Sequence, residues 1–310
     1  MLRQWLDERG YWAPGRGAPH SHHFMEKGGS KFLIPSDAAE EFHAILAADL
    51  AAGVRHCVSE AHTVPAYRLA LDLDCRSRKP LPPGQLLQLC AALHLVVRAF
   101  YFGHDASSTG SSDSTSTGAG ASSSSFSVGS LASGAGLAAA SAAEPTVLAL
   151  NTAGARPQAD GTLLTGAHII FPGIVTTSAS ALACRAGVVA ALQVLPAAQL
   201  LCNGLEAAVD EAVLLERAGL RMVGTYKLPT VEGVYLPTHL LYPASNGAGS
   251  GSDLATAATA AAAAAQRVHV ALDDAAELAA WMQRTSVRVH GEEWELTQPA
   301  ALGMLPEGQA

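Results

Sequence analysis

The sequence predicts a mixed α/β fold with at least one largely buried sheet. Three observations point there. Of the 310 residues, 49% are hydrophobic, enough for a sizeable core. Charged residues are only 15%. Short apolar runs with a period of two alternate along the chain with longer runs of helical period.

Ser36 to Ala52 reads as a helix, with Phe42, Ile45 and Leu46 on one stripe and Ser36 as its cap. Tyr67 to Asp74 alternates like a strand, and Pro82 to Phe102 is a long apolar helix. Val147 to Asn151 is a short strand. Leu163 to Phe171 is a second, ended by Pro172, which lacks the N–H a ladder needs. Ser178 to Leu192 is a helix capped by Thr177 or Ser178. Arg267 to Leu272 reads as a strand and Asp273 to Arg284 as a helix.

Two segments are low in complexity. The first, about 106–143, is nearly all Ser, Gly, Ala and Thr, and cannot bury enough apolar surface to offset its chain entropy. Removing Ser107 to Ser141 is therefore expected to change stability by less than about 1 kcal/mol, because loop length is cheap. A thermal melt checks this. The second, 245–265, has alanines that could form a helix, but its Gly/Ser start reads as a linker. The expected organisation is a catalytic unit over 1–244, the linker, and a short α/β extension over 266–310.

A net charge of -8 argues against coating nucleic acid by bulk charge, and leaves room for a local basic groove. Cys57, Cys75, Cys90, Cys184 and Cys202 form no CxxC pair and no zinc spacing, as for free thiols in a reducing, intracellular compartment. MLRQWLDERG carries no apolar leader segment, and the alanine tract from Ala257 is too short to span a bilayer, so no membrane partner is expected.

The chemistry centres on LALDLD. On a strand, Asp72 and Asp74 point to one side while Leu69, Leu71 and Leu73 point to the other. Two adjacent carboxylates repel unless a cation lies between them or one is protonated. Paired hard oxygens suit Mg²⁺ or Mn²⁺. The plainer reading is an edge strand facing water. His168, in GAHIIFPG, reads alone as a core histidine. Asp210 with Arg217, Arg221 and Lys227 reads alone as a charged helix face. HSHH, ending at His23, reads as a solvated loop.

In chain order, SHHFMEKGGSKFLIP, LALDLD, GAHIIFPGIVTT and DEAVLLERAGLRMVGTYK resemble the archaeo-eukaryotic primase superfamily, most closely the primase domains of large DNA viruses. The likeness runs from about His20 to Leu240. It implies a two-part α/β (α+β) primase core with an RRM-like sheet, and a DNA primase or primase-polymerase. Asp72, Asp74 and Asp210 would bind two Mg²⁺ or Mn²⁺ ions. His168, Arg221 and Lys227 would hold the incoming nucleoside triphosphate. A single-stranded DNA template, and a separate helicase, would be the partners. The chain departs from the family at Gly166, where cellular members commonly have serine, and lacks the trailing zinc module and fused helicase. Two other readings stay open: an inactive nucleic-acid-binding relative, and a DxD glycosyltransferase using a nucleotide sugar. A HAD phosphatase is excluded by Arg76, where Thr or Val is required.

Overall fold

The computed structural model describes residues 1–300 apart from 16, 27–28, 63–64, 104–142, 217, 228–232, 244–252 and 290–294. The expected Ser/Gly/Ala insert falls almost wholly outside the described residues. The fold is mixed α+β with two antiparallel sheets.

The first sheet has the order β2-β1-β3-β8, from Lys31–Phe32, His22–Phe24, Val58–Ala61 and Gly219–Arg221. Helices α1 (Leu2–Arg9) and α2 (Ala39–Ala51) accompany it. The HSHH segment is therefore not a solvated loop. β1 lies inside the sheet, so His22 is buried, stacked on Phe32 at 5.3 Å. Ser36 opens a 3₁₀ turn, Ser36–Ala38, and does not cap α2.

The second sheet has the order β10-β9-β5-β7-β4, with β6 (Arg156–Pro157) paired to β7. Its strands are β4 (Ala66–Ser77), β5 (Thr146–Asn151), β7 (Leu163–Thr177), β9 (Tyr235–Leu241) and β10 (Gln266–Arg267). β7 does not stop at Pro172. The register jumps from Arg68↔Val175 to Ala70↔Ile170, so Pro172 sits in a bulge where no ladder bond is asked of it. α3 (Pro83–Phe102) and α4 (Ser178–Leu192) pack on each other and on β7. Thr177 caps α4, its hydroxyl oxygen accepting from the Ser180 N–H at 3.3 Å. α3 is long and apolar enough to cross a membrane, yet half of its apolar window is buried inside the protein. All five cysteines are free, and only Cys202 is exposed.

The C-terminal region differs from the expectation. Where a linker was expected, α6 (Leu254–Ala264) is a helix whose Asp253 cap accepts from the Thr256 N–H at 2.9 Å, and it packs on α3. The five-residue helix α5 (Gly204–Ala208) precedes it in the chain. α7 (Ala275–Thr285) packs on α2, and one contiguous apolar core runs from Leu2 to Val287. The last segments are thus built into the same core. Buried Glu60 fastens them: its carboxylate accepts from the Ser286 hydroxyl at 2.7 Å and the Val287 N–H at 2.8 Å.

Candidate functional site

β4 separates its two faces as the alternation requires. Leu69, Leu71 and Leu73 are fully buried, while Asp72 and Asp74 are partly exposed on the other face. Asp72 lies opposite His168 on β7, and Asp74 opposite Gly166.

Asp210 reaches them because β4 is the sheet's last strand. An open edge invites pairing, and the chain after α4 covers it. Leu201 bridges to Ser77 and Val209 to Leu73, with α5 looped out between them. The Cys202 N–H donates to the Arg76 carbonyl at 2.7 Å, and the Asp210 N–H to the Asp72 carbonyl at 2.9 Å. Asn203 mimics a strand residue: its Nδ2 donates to the Asp74 carbonyl at 2.9 Å and its Oδ1 accepts from the Arg76 N–H at 3.2 Å. One Asp210 carboxylate oxygen accepts from the Ala212 N–H at 2.9 Å, an Asx-type turn. The expected charged helix is therefore a 3₁₀ turn, Ala212–Leu214, followed by β8.

The electrostatics are those of crowded carboxylates. Burial, then the neighbouring Asp74, and then Asp210 push the Asp72 carboxyl up to about 8, with Arg221 and Lys227 opposing the rise. The Asp72 Oδ1 is buried without a hydrogen-bond partner among the described residues. Its nearest cationic candidate, His168 Nε2, is 3.7 Å away, beyond hydrogen-bond reach. His168 is buried, and that burial, with Arg221 nearby, holds it well below its ordinary value and neutral. Such an orphaned oxygen fits a divalent cation: the donors are hard oxygens, and a cation relieves the repulsion that raises Asp72. Among the described residues, no three His, Cys, Asp or Glu side chains close around one point as a finished cage.

Beside the carboxylates stands a stack of two rings and a guanidinium. The His168 ring lies on Tyr235 at 3.5 Å and 17°, and the Arg221 guanidinium lies over the Tyr235 ring at 4.4 Å. Arg221 Nη1 and Arg156 Nε are buried with no hydrogen-bond partner among the described residues, and the two guanidiniums repel each other. Lys227 is exposed, and its charge acts on Asp72. Asp72 and Asp74 share a face of β4 with His168 opposite Asp72, the Asp210 backbone is tied to Asp72, and the charges of Arg221 and Lys227 act on Asp72.

Sequence reading missed Tyr235, Arg156 and Asn203. Gly166 held the one available signal. A Cβ there would overlap the Tyr235 hydroxyl and come within 3.3 Å of the Asp74 carboxylate. Gly166 is therefore the counterpart of Tyr235. Gly166→Ala is expected to cost about 1–3 kcal/mol, since a ring clamped between His168 and Arg221 has nowhere to go. In a Tyr235→Phe background the cost should shrink to less than half. Thermal unfolding of the double-mutant cycle checks this.

No family model matches the chain, and the search of curated proteins finds no match.

Proposed function

We propose that the protein is a template-directed nucleotidyltransferase of the primase-polymerase kind. The observation that carries this reading is that Asp210 is tied through its N–H to the Asp72 carbonyl, two residues before Asp74, and that the charges of Asp74, Asp210, Arg221 and Lys227 all act on Asp72. A glycosyltransferase would use the first two carboxylates alone. The third carboxylate and the cations are what transfer from a triphosphate requires.

Asp72, Asp74 and Asp210 would hold the Mg²⁺ or Mn²⁺ ions. Such ions, when bound, stabilise charge on the attacking and leaving oxygens of an in-line displacement. The substrate's own 3′-hydroxyl attacks the α-phosphorus, and pyrophosphate leaves. Arg221 and Lys227 neutralise charge on that leaving group. Arg156, with its unpartnered Nε, adds a third cation on the same side. His168 lies directly across from Asp72 and is buried under the Tyr235 ring, so its part is to back Asp72 and bear that ring, with the phosphates met by the arginines and Lys227. The runs β4–α3–β5 and β7–α4, with β9 following after α5 and β8, and the packing of α3 on α4, support the reading of an RRM-like sheet. The strand order differs from it, since β4 lies at the edge here. The single-stranded template and any helicase would be met through local charge, because the whole chain is acidic.

Primer synthesis on single-stranded DNA tests the reading, with Mg²⁺ or Mn²⁺ and with ribo- and deoxynucleotides supplied separately. Metal-dependent product of increasing length is the expected result. Hydrolysis of a nucleotide sugar with no primer product would favour the glycosyltransferase. DNA binding with neither reaction would favour an inactive relative.

A further inference from the structure

We infer that Arg185 is the positioning residue for Asp210, acting through the peptide that joins Asp210 to Val209. This rests on the reading of Asp210 as a cation ligand.

Arg185 lies on α4, 8% exposed. A buried guanidinium is costly unless its donors are used. Here they are used on a single segment. Nε donates to the Val209 carbonyl at 2.8 Å, and Nη2 donates to the Glu206 carbonyl. Nη1 donates to the Glu206 carboxylate at 3.0 Å and lies 3.5 Å from that of Glu211. Both glutamates are largely exposed, at 73% and 57%, so these ion pairs contribute little. The contact to the Val209 carbonyl is the one fully shielded from water.

Their geometry has a specific consequence. The Val209–Asp210 peptide is held at both ends: its carbonyl by Arg185, and its N–H by the Asp72 carbonyl at 2.9 Å. A peptide group is planar, so fixing both polar ends fixes the Asp210 Cα relative to Asp72. The segment needs this help because α5 interrupts its pairing with β4, leaving only isolated bridges at Leu201 and Val209. A planar fork reaches two carbonyls at once, which an ammonium does less well.

The test compares wild type with Arg185→Met, Arg185→Lys and Glu206→Gln. Two quantities are read: Mn²⁺ affinity by titration calorimetry, and hydrogen exchange at the Asp210 amide. Arg185→Met is expected to weaken Mn²⁺ binding about ten- to a hundredfold, the usual effect of losing a ligand's support. It should also speed exchange at Asp210 at least about tenfold. Arg185→Lys should fall between, and it carries the test if the Met protein does not fold. Glu206→Gln should match wild type, since it leaves both carbonyl contacts in place. If wild type binds Mn²⁺ and both Arg185 variants bind it equally well, the inference is overturned and the metal reading stands. If wild type binds no Mn²⁺, the metal reading falls. In that case unchanged Asp210 exchange overturns the inference as well, and faster exchange upholds the positional role alone.

Discussion

Asp72→Asn is expected to abolish nucleotide transfer at every nucleotide concentration, while unfolding at a higher temperature than wild type in metal-free buffer at pH 8. The two effects have one cause. Burial and the neighbouring Asp74 raise the Asp72 carboxyl to about 8 in the fold, far above the ordinary 3.8. The folded protein thus holds a proton that the unfolded chain has released. The stability this proton confers is complete below about pH 4, and it is lost progressively as pH rises to about 8. Metal-free wild type should therefore weaken across that range more steeply than Asp72→Asn. At pH 8 the amide should be the more stable by about 1–3 kcal/mol, since it removes a poorly solvated charge. Melts from pH 5 to 8 beside a primer-extension assay measure both effects. Transfer at the wild-type rate by this variant would reduce Asp72 to an ordinary surface charge.

Lys227→Ala is expected to behave differently. Lys227 is exposed, and its charge acts on Asp72. Its removal leaves the three carboxylates in place and deletes one cation for the triphosphate. A charge-assisted contact is worth about 1.5–3 kcal/mol. KM for the nucleotide should therefore rise roughly ten- to a hundredfold, with much of kcat kept, and excess nucleotide should restore most of the rate. Salt screens exposed charges, so the gap between variant and wild type should narrow at high ionic strength. An unchanged KM would remove Lys227 from the nucleotide site.

Much of this was legible in the sequence where one element decides the outcome. The period of two in LALDLD sets both carboxylates on one face, and Thr177 marks the start of α4. The sequence was less informative where two elements decide together. Pro172 reads as a strand end, and only a bulge in β7 itself, where it pairs with β4, lets the strand run through it. The Gly/Ser stretch before α6 hides a helix that is stabilised by lying on α3. The HSHH segment looks solvated because nothing local reveals that β3 and β2 flank it. At the site, the three aspartates carry a sequence pattern. Tyr235 and Arg185 carry none, because their roles depend on a ring stack and a peptide that the fold assembles from distant segments.

The most direct measurement is the thermal midpoint at pH 8 as Mn²⁺ is added, for wild type, Asp72→Asn and Asp210→Asn. If the carboxylates form a cation site, Mn²⁺ at about a hundred times its dissociation constant stabilises wild type by about 2.7 kcal/mol. It should also erase the fall in stability between pH 5 and 8 and leave both variants almost unmoved. Equal shifts in all three proteins, or no shift in wild type, would contradict a cation site built from Asp72, Asp74 and Asp210.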